Sequence, residues 1–182
     1  LGPRFTLAEI DAATTVAEAG VAIDPRVGTA ALVASGLVVD DGGALRFRTE
    51  TEQDAIAAAA PAPARRAVHA AVLAHLLAHG ADGPETWARV AFHAGRAGEP
   101  ARAIAMCERL AAEARARHAP LEAVRWLTLA VEHAGDEPTP LRGRLLGERG
   151  AARRLLTHYE AAKQDLRAAR AIADADLDEV AV

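Results

Sequence analysis

GAARRLLTHYEAAKQDLRAAR, residues 150–170, is the stretch that decides the fold. Ala162, Leu166 and Ala169 share one face of a helix, at spacings of four and three. Twelve residues before Ala162 stands Gly150. A small residue there lets a preceding helix approach closely, with a larger side chain filling the gap between the two. His158 marks the break, so helices are expected at 141–156 and 159–173. The arrangement recurs upstream. Ala123-x3-Leu127-x2-Ala130 follows Ala111 by twelve residues, and Ala103-x3-Cys107 follows Ala91 by twelve. The leading alanines are 20 and 39 residues apart, an irregular period of paired helices.

Working outward, the spacing predicts helices at 50–59, 63–79, 84–95, 99–117 and 120–134. Their breaks are Pro61 and Pro63, Gly80 to Pro84, Gly98 to Pro100, Pro120, and Gly135 to Pro140. Loops this short make successive helices antiparallel neighbours. The opening residues read differently. Thr6 with Glu9 forms a capping box for a helix to about Ala19, stopped at Gly20. Asp24 and Pro25 start a second helix that ends near Ser35-Gly36. Leu37-Val38-Val39 and Leu45-Arg46-Phe47-Arg48 flank Asp40-Asp41-Gly42-Gly43, a β-hairpin pattern. Helix, helix, hairpin is the order of a winged helix.

Composition agrees with helices. Of 182 residues 48 are alanine, while aromatics are 3%. Strands favour β-branched and aromatic residues, so an alanine-rich core means closely packed helices. The longest stretch free of Asp, Glu, Lys and Arg, Ala67 to Ala81, is too short and polar to span a bilayer. No signal peptide opens the chain. Cys107 is the single cysteine, which excludes an internal disulfide and points to a reducing, cytoplasmic setting. Leu1-Gly2-Pro3-Arg4, without Met, suggests an excerpt from a longer protein.

The second half resembles a tetratricopeptide-like α-solenoid, with Gly150, Tyr159, Ala162, Leu166 and Ala169 in consensus places. It departs from the consensus in lacking the leading Trp and the closing Pro. The whole chain resembles one segment of the STAND-class NTPases, including the large LuxR-type ATP-binding regulators of actinobacteria. There a winged helix is followed by a helical linker and degenerate tetratricopeptide repeats. The residues carrying the likeness are 32–39, 45–48, Pro63 to His69 and Gly98 to Ile104. Members commonly carry a His after the Arg-Phe-Arg strand and an Arg soon after; Thr49 and Gln53 stand in that region here.

The chemistry-bearing residues are few. No GxxxxGK[ST] loop is present, and the only lysine, Lys163, lies in the last helix, so no P-loop chemistry is expected. His75 and His79 lie one turn apart but lack a third ligand, and read as helix-face histidines. Cys107 takes a place filled by leucine in the other repeats and reads as a buried apolar residue. Asp40, Asp41, Glu50, Glu52 and Asp54 read as a solvated face at a helix start. Trp87 and Trp126 read as core. Residues 1–60 hold four arginines against nine acids, net −5, which argues against DNA binding by the winged helix.

The repeats offer the best functional surface. In tetratricopeptide register the concave side takes Phe92, Arg96, Glu108, Arg115, Arg144 and Arg154. Arginine forks suit carboxylates and phosphates, so the expected partner is an acidic peptide, an anionic effector or an acidic surface of the same polypeptide. The expected fold is mainly α: a winged helix with one β-hairpin over 1–60, a linker helix over 61–82 and an α-α superhelix over 83–182. The expected function is a non-catalytic regulatory segment of a larger signal-transduction ATPase, a transcriptional regulator. It needs no cofactor or metal and binds no nucleic acid or membrane. The alternative is a stand-alone adaptor that scaffolds protein partners.

Overall fold

The computed structural model describes residues 4–16 and 24–180. It is mainly helical, with nine helices and one two-stranded antiparallel sheet among the described residues. Two units divide the chain. The first takes Leu1–Ala81 and Phe92–Glu99, and the second Asp82–Ala91 and Pro100–Val182.

In the first unit, α1 (Leu7–Val16) starts with a reciprocal cap. The Thr6 amide donates to Glu9 Oε2 at 2.9 Å, and the Glu9 amide donates to Thr6 Oγ1 at 3.3 Å. The expected end of this helix at Ala19-Gly20 lies outside the described residues. Helix α2 (Pro25–Ala34) begins where Asp24 Oδ1 accepts from the Arg26 amide, at 2.9 Å. Strands β1 (Val38–Asp40) and β2 (Leu45–Phe47) pair with Val38 opposite Phe47. Their turn places Gly42 and Gly43 at φ +78° and +101°, a backbone that side chains with a Cβ rarely adopt.

Phe5 adds a bridge to β2, its amide donating to the Leu45 carbonyl at 2.9 Å and its carbonyl accepting at 2.8 Å. Phe5, Val38 and Leu45 form a small apolar cluster, with Ile10 and Phe47 packed against it. Helix α3 (Glu50–Ala59) carries a second capping box, Thr49 with Glu52. Helix α4 (Ala62–His79), the segment expected as a linker, packs against α1 and buries Ala71, Val72, Leu73 and Leu76.

Helix α5 (Pro84–Ala97) contributes its N-terminal part to the second unit and its C-terminal part to the first. In the second unit, α6 (Pro100–Ala116), α7 (Pro120–Ala134), α8 (Pro140–Leu155) and α9 (Tyr159–Val180) pack in sequence, each on the next. Ile104, Cys107, Leu127, Val131, Leu145 and Leu146 make one core with Ala111, Ala123 and Ala130. The small residues that lead the repeat pattern are buried. Ala103, Ala111 and Ala123 are wholly buried. A Cβ on Gly150 would lie 2.9 Å from Leu166 Cγ and 3.2 Å from the Ala162 carbonyl oxygen.

Helices α6 and α8 end at Ala116 and Leu155, within one residue of the expected 117 and 156, and the chain then turns at His118 and Thr157, at φ 56° and 59°, without the glycine that usually takes this position. Two details depart from expectation. Helix α9 continues past 173 to Val180, because no glycine or proline interrupts it. Trp87 is half-buried under a guanidinium rather than set in the core, with Arg109 over its ring at 4.0 Å. No helix among the described residues is long and apolar enough to cross a membrane.

Candidate functional site

The six residues expected to share a surface fall into three settings. Phe92 and Arg96 belong to the first unit, one turn apart near the end of α5. The Arg96 guanidinium lies over the Phe92 ring, 3.7 Å from its centroid. Burial holds Arg96 below the usual arginine range, so its charge is partly desolvated. Phe92 meets His69 of α4 edge-on, with ring centroids 5.7 Å apart. His69 Nδ1 and His93 Nδ1 share a hydrogen bond at 3.0 Å, so one of the two rings donates and the other accepts. Burial pushes His69 down to about 4, and the Arg96 charge acts in the same direction. The His69 ring is therefore neutral at pH 7.

Glu108, Arg115 and Arg144 come together in the second unit. Glu108 and Arg115 lie on α6, Arg144 on α8. Arg144 bonds Glu108 and reaches Glu148 at 3.3 Å, while Arg115 meets Glu148 at 2.9 Å. Two guanidiniums thus face two carboxylates. The pairing with Glu108 holds the Arg144 guanidinium above its usual range. The expected positive strip is charge-balanced here, and an acidic ligand would have to displace Glu108 and Glu148.

Arg154 stands in a third place. With Lys163, Arg167 and Arg170 it lines a shallow cleft of about 390 Å³ beside Tyr159 and Leu166. Arg170 faces Asp174 one turn on, at 3.5 Å.

One charged network was not among the sequence candidates. Asp165 of α9 is 4% exposed. Arg149 of α8 grips it with two bonds, at 2.9 and 2.7 Å, and Arg153 adds a third at 2.8 Å. A buried carboxylate needs such compensation. This network joins α8 to α9 and is structural. Only the spacing of the two arginines, one turn apart on α8, hinted at it.

The remaining sequence candidates take plain positions. Cys107 is wholly buried, and burial pushes its thiol up to about 11. The His75 and His79 rings stack, 4.8 Å between centroids. Among the described residues no three of His, Cys, Asp and Glu are grouped to hold a metal ion.

A further charged cleft lies in the first unit. Arg65, Arg66 and His69 of α4 and Arg96 of α5 line a cleft of about 370 Å³ together with Ala57, Ala58 and Ala62. Arg65 is fixed by donating to the carbonyls of Ala57 and Ala60, at 3.0 and 3.1 Å. None of the three arginines is ion-paired among the described residues. Among the described residues no carboxylate lines the cleft. Comparison with known protein families, with curated proteins and with solved structures finds no match to this chain.

Proposed function

We propose that this chain is a non-catalytic regulatory segment of a larger cytoplasmic signal-transduction ATPase, a transcriptional regulator of the STAND or LuxR type. In this reading Phe5 to Phe47 form a winged helix that packs on an NTPase core. Helices α5 to α9 form tetratricopeptide-like hairpins that receive an effector or protein partner. Effector binding shifts the balance between two arrangements of the core, to the extent that its affinity for the two differs.

The observation that carries the reading is the surface of α2. A DNA-reading helix presents basic side chains to phosphates. Here α2 carries one arginine, Arg26, and leaves Val27, Leu32 and Val33 exposed. Beside them a mainly apolar hollow of about 570 Å³ is lined by Leu7, Ala30, Val33, Ala34 and Leu45, with Arg26, Thr29 and Asp40. Such a surface suits packing against protein.

The experiment is top-down mass spectrometry of the native polypeptide from its source cells. The reading expects a mass tens of kilodaltons above 19.0 kDa, with a GxxxxGK[ST] segment in the same chain. A native mass near 19.0 kDa would overturn it and leave a stand-alone adaptor.

A further inference from the structure

We propose that the first unit binds a small phosphate monoester, with its dianionic head on Arg65, Arg66 and Arg96 and its apolar body along Ala67, Ala70 and Ala97. The site does not depend on the chain being part of a regulator. It rests on two adjoining clefts of opposite character.

The first is the arginine cleft, about 370 Å³, which sits within the size range of small-ligand sites. Its three guanidiniums carry three positive charges in a chain whose net charge is −4. Each is held in a different way. Arg65 spans the last carbonyls of α3, Arg96 lies flat on Phe92, and Arg66 extends past Gly98, its Nε 3.8 Å from where a Cβ would sit there. Arg96 lies on the Phe92 face with no counter-ion among the described residues, so a bound anion would supply one. His69 is neutral at pH 7 and adds no charge to the site.

The second cleft, about 460 Å³, shares Ala62 and Arg66 with the first. Apart from Arg66 its wall is Ala62, Pro63, Ala67, Ala70 and Ala97. An amphipathic anion matches this pair of clefts, with Arg66 at the junction. A monocarboxylate would leave two of the three charges uncompensated, whereas a phosphate monoester brings close to two charges and three oxygens that arginine forks grip in bidentate fashion. A nucleic acid would also meet the carboxylates of residues 1–60, where nine acids outnumber four arginines.

The test is isothermal titration of the 182-residue chain with three probes: hexyl phosphate, inorganic phosphate and hexanoate. Hexyl phosphate should bind at one site, at least about tenfold more tightly than either other probe. Arg66→Gln should weaken it about tenfold or more, and Arg66→Lys, which keeps the charge but loses the fork, by less. Arg66 is exposed, so both variants should keep the circular dichroism spectrum of the parent. Arg125→Gln, at an exposed site in the second unit, should bind like the parent. No saturable binding of hexyl phosphate overturns the proposal. So does equal affinity in Arg66→Gln and the parent, and so does equal affinity for hexyl phosphate and hexanoate. Equal affinity for hexyl phosphate and inorganic phosphate overturns the amphipathic ligand.

Discussion

Two glycines one turn apart in α8 should respond to alanine with opposite signs. In a helix interior Gly→Ala gains about 0.5–1 kcal/mol, because glycine loses more backbone freedom on folding. At Gly147 a new Cβ meets nothing within 4 Å, so Gly147→Ala should stabilise by that full amount. At Gly150 the new methyl would lie 2.9 Å from Leu166 Cγ, 3.2 Å from Leu166 Cδ2 and 3.2 Å from the Ala162 carbonyl oxygen. Leu166 can turn away, but the carbonyl belongs to the α9 backbone and moves only with the helix. Overpacking of this kind costs about 1–3 kcal/mol, which outweighs the propensity gain and leaves a net loss of about 1 kcal/mol. The two variants should therefore differ by about 2 kcal/mol. Urea unfolding followed by tryptophan fluorescence reads this directly, because Trp87 and Trp126 both belong to the second unit. The comparison is of midpoints at unchanged m. If Gly150→Ala stabilises as much as Gly147→Ala, the close approach of α8 and α9 at this point is wrong.

Three further outcomes follow from particular contacts. Asp165→Ala should destabilise the second unit by about 3 kcal/mol in the same assay, since it strands two largely buried guanidiniums. His69 titrates near 4 when folded, below its ordinary value of 6.5, so the unfolded chain takes up its proton first. Its contribution is therefore whole above about 6.5 and fades as the pH falls towards 4. Solvent at this half-exposed ring limits the loss to on the order of 1 kcal/mol. Amide exchange of α4 at pH 7 and pH 5 should show it in the parent and less of it in His69→Gln. Cys107 should resist a thiol reagent in the native chain at pH 8 and react fully in urea, given its burial and raised pKa. Rapid native labelling would contradict that placement.

What was legible in the sequence was local. Prolines and glycines mark nearly every helix start, and α2 to α8 begin within a few residues of the expected positions. The Thr6–Glu9 box and the small residues twelve before Ala103, Ala123 and Ala162 are physical signals that act over a few turns, and the structure uses them. The rest depends on partners distant in sequence. Phe5 pairs with Leu45, His69 with His93, and Arg149 with Asp165, and no periodicity announces those contacts. The arginine surface shows the same limit. Helical register placed Arg115 and Arg144 on one side, but not Glu148, which neutralises both. Arg65 and Arg66 lie in the expected linker helix, and the arginine cleft has no sequence signature beyond two adjacent cations. The ends of α6 and α8 fall within one residue of expectation, although His118 and Thr157 there adopt a backbone usually given to glycine.

The central claim is that the exposed apolar surface of α2 is covered by protein in the native polypeptide. Hydrogen exchange over Pro25–Ala34 tests it, comparing the 182-residue chain with the intact protein from its source cells. The account predicts amides that exchange markedly more slowly in the intact protein. Equal exchange in the two would contradict it.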